Sequence, residues 1–227
     1  MELLKQEHKL IQKSLTLKEL NNESKNDKIY NSLISFYGWI RRIRVGGGGS
    51  LVFVDIYDGT DIGSLMCVVS SETYQNEDKE YKSLTFDELS DASKLSPGCA
   101  VIIEGLLKKS PEGTTQLFEH HVINLQVIGN IESYQTYPIQ KSSERNFLSL
   151  RQMPFMRVRS QMMQSLFRVR STLLFNIHSF FNKNNVICTD PNIITSSDCE
   201  GAGEVFKLDP QIFGENNSVG LTVSSQL

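Results

Sequence analysis

The sequence predicts an α+β chain in which a barrel of five short strands precedes a long amphipathic helix. From residue 33 to residue 129, β-branched and aromatic runs recur at short spacing and are broken by Gly, Asp and Pro, which is typical of an antiparallel barrel or sandwich. After residue 150, apolar residues recur at intervals of three and four, the period of a helix with one buried face. The 227 residues, 39% of them hydrophobic, suffice for two modest domains.

The barrel region divides into five predicted strands separated by turn residues. They span 34–45, 50–57, 64–70, 99–108 and 115–128. Residues 46–49 and 58–63 are predicted turns, because Gly and Asp dominate them. The polar stretch after the third strand ends in Phe86, Leu89 and Leu95, which we expect to form a helix that closes one end of the barrel. Five strands with a helix inserted after the third is the layout of an OB fold.

Four domains or segments are expected along the chain. Residues 1–30 are a polar, leucine-dotted extension that suits a short helix and a linker, and residues 31–129 form the barrel. Residues 130–150 carry Gly, Pro and polar residues without a periodic pattern, which predicts a hinge. Residues 151–227 contain a predicted helix over 158–182 and two predicted strands, over 186–195 and from residue 221 onward.

The overall charge limits the kinds of partner. Lys and Arg total 23 against 26 Asp and Glu, so the net charge of −3 excludes a protein that holds nucleic acid by bulk charge alone. The four cysteines lie far apart without a CxxC pair, so we expect neither a zinc site nor a disulfide framework. No segment has transmembrane length, and the first twenty residues lack both Arg and an apolar core, so we expect a cytoplasmic protein without a membrane partner.

One strand combines aromatic and basic side chains. FYGWIRRIR at residues 36–44 pairs stacking surfaces with three arginines, a combination that suits single-stranded nucleic acid. A solvated basic strand edge explains the same pattern. Phe53 on the next strand offers a ring on which a base could stack.

Other motifs leave their alternatives open. Residues 145–189 contain six arginines and no Asp or Glu, which suggests either a polyanion partner or acids supplied elsewhere in the fold. The small and acidic residues of 195–204 suit either a ligand that approaches the backbone or a polar loop.

The glycines at 46–49 open a strand rather than a helix, which excludes a P-loop. His120 and His121 lack ligand partners at suitable spacing, which favours a structural role.

Together, these motifs resemble the asparaginyl-tRNA synthetase family. FYGWIRRIR, VDIYDG and SPGCAVIIEG resemble the anticodon-reading barrel of the asparaginyl and aspartyl enzymes. Residues 167–206 resemble motif 1 of class II synthetases, and EGAGE within them resembles the asparagine enzymes in particular. The resemblance implies that the OB barrel is followed by the start of a class II antiparallel-sheet catalytic domain.

The resemblance also implies roles for particular residues of the barrel. Phe53 would stack on an anticodon base, and Arg41 and Arg42 would hold the adjoining backbone. Met66 takes a position that usually carries Gln in the family, where a thioether cannot replace the hydrogen bonds of an amide.

Further roles are implied after the hinge. Glu200 and Gln226 would line the amino-acid site, as a carboxylate for the substrate ammonium and an amide for orientation. Pro191 and Arg168 would lie at the interface of a homodimer formed through motif 1. The resemblance implies no catalytic residue and no metal ligand in this chain.

The implied activity is the ATP-dependent attachment of asparagine to tRNA(Asn). Its expected partners are tRNA(Asn), L-asparagine and ATP, with Mg²⁺ as the metal of the full-length enzyme. Because motifs 2 and 3, whose arginines hold ATP, are missing before Leu227, we expect a fragment that is inactive alone. The alternative is a non-catalytic protein that binds tRNA or other single-stranded RNA. An aspartate enzyme or an asparagine-synthetase-like paralogue is a third, weaker option.

Overall fold

The predicted strands of the barrel are confirmed by the computed structural model, which describes residues 13–24, 27–77, 83–114, 116–132, 135, 137–139, 146–197, 205–209 and 219–225. The chain divides into two compact units, Met1–Arg168 and Val169–Leu227. The first unit contains β1 (Lys13–Ser14), β2 (Leu33–Gly46), β3 (Leu51–Tyr57), β4 (Leu65–Ser70), β5 (Ala100–Lys109) and β6 (Phe118–Gly129). The boundaries of the four predicted segments stay a prediction.

The strands of the first unit form one sheet that closes on itself. The strand order is β1-β2-β3-β4-β6-β5, and β2 pairs with β5 as well as with β3. The first half of β2, through Trp39, pairs with β5, and the second half pairs with β3. The pairing of β4 with β6 is parallel, whereas the other long strands pair antiparallel. This closed arrangement is the predicted OB barrel.

A glycine and a β-bulge let β2 pass from one partner to the other. A Cβ atom on Gly38 would lie 2.6 Å from the carbonyl oxygen of Tyr57, so only glycine allows the two backbones to approach this closely. The pairing register shifts between Ile40 and Arg42, which leaves Arg41 as the extra residue of a bulge. Bulges redirect side chains, and Arg41 returns below as part of the candidate site.

The barrel interior is filled by alternate residues of the strands. On β3, Val52, Val54 and Ile56 are fully buried, while Leu51 and Phe53 point to the other face and are only half-buried. This period of two is the signal from which the strands were predicted.

The N-terminal segment is part of the barrel. Strand β1 pairs in parallel with the start of β2, and helix α1 (Leu17–Glu23) follows it, opened by a capping box between Thr16 and Glu19. The predicted short helix is therefore present. Three leucines of the segment belong to the barrel core: Leu15, Leu17 and Leu20.

The helix expected before β5 is only a single 3-10 turn, Asp87–Ser90. Thr85 and Glu88 exchange hydrogen bonds as in a helix start, but Asp91 is extended and accepts a hydrogen bond from the Ser93 N–H instead. Such side-chain bonds to the backbone compete with helix propagation. The expected closure of the core nevertheless holds, because Leu89 is fully buried in it.

The long predicted helix is confirmed. It is preceded by α2 (Phe147–Arg151) and runs as α3 (Gln161–Lys183), beginning three residues late because residues 157–159 form a 3-10 turn. It ends at the predicted asparagines: Asn185 has φ 60°, and the Val186 N–H donates to the Phe181 carbonyl. No described helix has the length and apolar composition needed to cross a membrane.

The two strands predicted after the helix are much shorter than expected. Residues 186–193 are irregular, and β7 (Ile194–Thr195) pairs with β8 (Gly220–Leu221) in antiparallel fashion. The proline at 191 has no N–H for a strand ladder, which explains why pairing starts only beyond it. The second unit therefore contains a small antiparallel sheet of two short strands.

His120 gives the barrel a pH-dependent stability. The ring is fully buried, and Nε2 lies 3.3 Å from the Ile34 carbonyl oxygen, a position that fits the structural role predicted for it. Burial lowers the pKa of His120 from 6.5 to about 4. The unfolded chain therefore binds a proton between pH 6.5 and 4 that the folded chain does not, so stability falls as the pH falls through this window.

We expect the free energy of unfolding to fall by at most ~1.4 kcal/mol per pH unit from this group. Urea titrations at several pH values, followed by the fluorescence of Trp39, measure the slope. His120→Leu should reduce the slope, whereas the same change at the exposed His178 should not. Equal slopes in wild type and His120→Leu would contradict the assignment.

Candidate nucleic-acid interface

The candidate site lies on the outer face of β2, β3 and β4. Because Val52, Val54 and Ile56 fill the core, the other residues of β3 share the outer face: Leu51, Phe53, Asp55 and Tyr57. Cross-strand pairing adds Arg42, opposite Asp55, and Arg44, opposite Phe53. Three of the residues predicted to contact an anticodon, Phe53, Arg42 and Met66, therefore lie on one face.

Phe53 is a half-buried ring at the open end of this face. The guanidinium carbon of Arg44 lies 5.8 Å from the ring centroid. Gly46 makes room for the ring, since a Cβ atom there would come within 2.8 Å of Phe53 Cε2. An aromatic ring beside an exposed guanidinium provides both stacking and charge. Arg44 belongs to the FYGWIRRIR motif of residues 36–44, but only the pairing register of β2 with β3 reveals that it is the partner of Phe53.

Arg42 is held by an acid on the same face. Its Nε lies 3.0 Å from Asp55 Oδ2, and the two side chains are 58% and 6% exposed respectively. A charge-assisted hydrogen bond of this kind orients the guanidinium and partly balances its charge. This bond fixes the orientation of the Arg42 guanidinium, and the part of the group that is not bonded to Asp55 faces solvent.

Met66 has an amide beside it. It pairs with Asp55 across β3 and β4, and Gln116 Nε2 lies 3.2 Å from its sulfur and 3.3 Å from Glu119 Oε1. An amide thus lies beside the thioether, on a residue 50 positions away in the β5–β6 connection. No sequence pattern connects Gln116 to Met66, so this neighbour was missed.

Arg41 lies farther along the same two strands. Its guanidinium carbon is 4.5 Å from the centroid of the Tyr57 ring, and Trp39 lies beside that ring at 6.0 Å between centroids. Arg159, from the 3-10 turn before α3, covers Trp39 at 4.5 Å. Burial raises the pKa of the Tyr57 phenol, although Arg159 and Arg41 act in the opposite direction. Arg41 therefore belongs to a second aromatic cluster and not to the immediate surroundings of Phe53.

The arginines of 145–189 use their planar groups mainly on rings and carbonyls. Arg151 lies over Phe147, Arg157 over Phe167, and Arg168 donates to the carbonyl of Gly59. Within the described ranges, no ion pair joins these three arginines to a carboxylate. Arg145 lies outside the described residues.

The remaining predicted site residues lie after the barrel. Pro191 is exposed in the irregular stretch before β7. Glu200 and Gln226, predicted for the amino-acid site, lie outside the described residues. In the second unit many apolar side chains of α3 are exposed, among them Val169, Leu173, Phe175, Phe180 and Phe181. The roles predicted for all these residues stay predictions.

The barrel has the architecture of an OB fold. Residues 34–130 match the family of OB-fold nucleic acid binding domains. Over most of its length, the chain is homologous to asparagine–tRNA ligases.

Two relatives show this similarity in sequence, and one solved structure shares the fold. The asparagine–tRNA ligase of Borrelia garinii subsp. bavariensis is 34% identical over 190 residues, which cover 84% of this chain and 38% of that protein. That of Desulfotalea psychrophila is 35% identical over 206 residues, covering 88% and 41%. The crystal structure of asparaginyl-tRNA synthetase from Pyrococcus horikoshii, complexed with asparaginyl-adenylate, has a TM-score of 0.69 at 21% identity and covers 95% of this chain and 44% of that one.

These matches agree with the fold described above. The structural match extends past the barrel into the second unit, in agreement with the predicted fold class. The chain spans about two fifths of the length of the curated relatives it matches.

Proposed function

We propose that this chain binds the anticodon loop of tRNA(Asn) through the outer face of β2, β3 and β4, as part of an asparagine–tRNA ligase. The observation that carries the proposal is the half-buried Phe53 ring with Arg44 beside it and Arg42 one pair away. Unpaired bases of a loop stack on such rings while guanidinium groups contact their phosphates. The homology to asparagine–tRNA ligases supports tRNA(Asn) as the particular RNA.

In that enzyme, ATP would activate asparagine and the asparaginyl group would pass to the tRNA. This chain's contribution is to bind and orient the tRNA, and we assign no chemical step to its described residues. Among those residues, no group of three His, Cys, Asp or Glu side chains is arranged to hold a metal ion. ATP, Mg²⁺, L-asparagine and the cytoplasmic location stay predictions from the resemblance and the sequence.

We further propose that the enzyme is a homodimer joined through α3. The exposed apolar side chains of this helix support the proposal, because contiguous apolar surface of this kind usually marks a protein interface. Sedimentation velocity of the wild type and of Phe180→Ser would test it: the variant should shift toward the monomer, and an unchanged monomer in both would reject the proposal.

Anticodon recognition is tested by comparing tRNA(Asn) with a transcript that differs only in its anticodon. Fluorescence anisotropy should give a Kd roughly tenfold higher for the altered transcript, since one well-made contact to a base edge discriminates by about 1 to 3 kcal/mol. Equal affinity for the two transcripts would reject anticodon reading. It would leave the second candidate, a protein that binds RNA without catalysis, which shares the same outer face.

A further inference from the structure

We infer that the RNA path on this chain continues from Phe53 to the Trp39 end of β2 and β3, where Arg41 and Arg159 form a second backbone-binding position. The inference rests on the proposed function, since it assigns a longer stretch of the same RNA strand to the same face. It adds Arg159, which lies outside the barrel, to the RNA-binding residues.

The geometry is a series of three arginine-on-ring pairs along two strands. Arg44 lies over Phe53, Arg41 over Tyr57 and Arg159 over Trp39. The register aligns these rings. Trp39 is the cross-strand partner of Tyr57, and Tyr57 is the second residue after Phe53 on the same face of β3. We call this series the arginine track.

The arginine track has the length of a short RNA segment. Phe53 and Tyr57 are four strand residues apart, which corresponds to about 13 Å. Single OB folds bind about 4 to 16 nucleotides. An RNA strand that stacks on Phe53 therefore extends beyond that ring, either toward Tyr57 or away from it. Two further guanidinium groups lie in one of those directions.

The charge balance distinguishes these arginines from Arg42. Arg42 has the carboxylate of Asp55 as its partner, whereas no described carboxylate lies within ion-pair distance of Arg41, Arg44 or Arg159. In Arg41, Nε and Nη2 are buried and have no acceptor among the described residues. Buried donors of a charged group are costly when unmet, so a shift of the Arg41 side chain that brings them to phosphate oxygens, which match the guanidinium edge, is favourable.

Stacking leaves the edges of a guanidinium available. A ring takes the flat face of the group, while its N–H donors lie in the plane and point outward. The ring pairs therefore hold Arg41 and Arg159 in position without using all their hydrogen-bonding capacity.

The test uses 3′-fluorescein oligouridylates of about 4 and about 10 nucleotides, which bracket the length of the arginine track. In wild type, the longer probe should bind more tightly. Arg159→Gln keeps a planar group over Trp39 but removes the charge, so it should weaken the longer probe several-fold and the shorter probe little. It should also reduce the slope of log K against log salt for the longer probe by about 0.7, the value for one phosphate contact to a single strand.

Arg151→Gln is the matched control, since Arg151 also lies over a ring, that of Phe147, but outside the arginine track. It should leave both affinities unchanged. Phe53→Ala separates this inference from the proposed function, because it should weaken both probes.

Wild type that binds neither probe nor tRNA would reject the proposed function and this inference with it. Binding that depends on Phe53 but is unchanged in Arg159→Gln would overturn only the inference. A purely structural role for Arg159 would lower the unfolding midpoint and weaken both probes equally, and that outcome also overturns it.

Discussion

Phe53→Ala is expected to raise the Kd for tRNA(Asn) by roughly 5- to 150-fold, since stacking of one base on an aromatic side chain contributes about 1 to 3 kcal/mol. The ring is half-buried at the open end of the outer face, where Arg44 lies over it and Gly46 makes room for it. Alanine removes the stacking surface but leaves Val52 and Val54, the neighbouring core residues of β3, in place. Stability should therefore change little while affinity falls.

Anisotropy titrations with labelled tRNA(Asn) at one fixed salt concentration measure the effect. Phe155→Ala is the matched control, because Phe155 is 78% exposed and lies outside the barrel strands. It should bind like wild type. If Phe53→Ala also binds like wild type, the ring does not stack on the RNA and the interface lies elsewhere.

Leu20→Ala is expected to lower the free energy of unfolding by about 2 to 5 kcal/mol, the usual range for a buried leucine. Leu20 is fully buried in the barrel core although it lies before the first long strand. Its helix is tied to the turn after β3, where the Leu17 N–H donates to Asp58 and the Asn21 amide donates to Asp61. The loss of Leu20 should therefore destabilise the whole barrel.

Denaturant unfolding followed by Trp39 fluorescence reports on this change, because Trp39 is the single tryptophan and lies on β2. Leu148→Ala is the control, a leucine in another short helix that is 72% exposed. Its free energy of unfolding should differ from that of the wild type by no more than a few tenths of a kcal/mol, as is usual for surface substitutions. A midpoint for Leu20→Ala that equals the control's would show that the N-terminal segment unfolds independently.

The predicted strands and the long helix were found because their signals are local. Alternation on β3 and the three-and-four spacing on α3 are written into adjacent residues. The 3-10 turn at Asp87–Ser90 was predicted as a helix because apolar spacing there resembles a helix, while the competing hydrogen bond from Ser93 to Asp91 is a three-dimensional detail. The strand through Pro191 was predicted too long for a different reason, since the proline has no N–H and pairing starts only beyond it.

In the candidate site, too, the residue types could be predicted from the sequence but their contacts could not. The arginines of β2 could be named from one strand motif and Phe53 from the strand that follows it, since ring and guanidinium types are visible in the sequence. Their pairing could not: a bulge at Arg41 shifts the register, so that Arg44, and neither Arg41 nor Arg42, lies over Phe53. Gln116 reaches Met66 only because the barrel closes.

By itself, then, the sequence determined that this chain contains an OB barrel with an aromatic and basic strand, followed by an amphipathic helix. Residue type and short-range period carry that information. The tertiary structure alone decided that Leu20 belongs to the barrel core, that Asp55 holds Arg42, and that Arg159 lies over Trp39. Those contacts join residues that are far apart in the chain, and their positions depend on strand register and barrel closure, which no local pattern encodes.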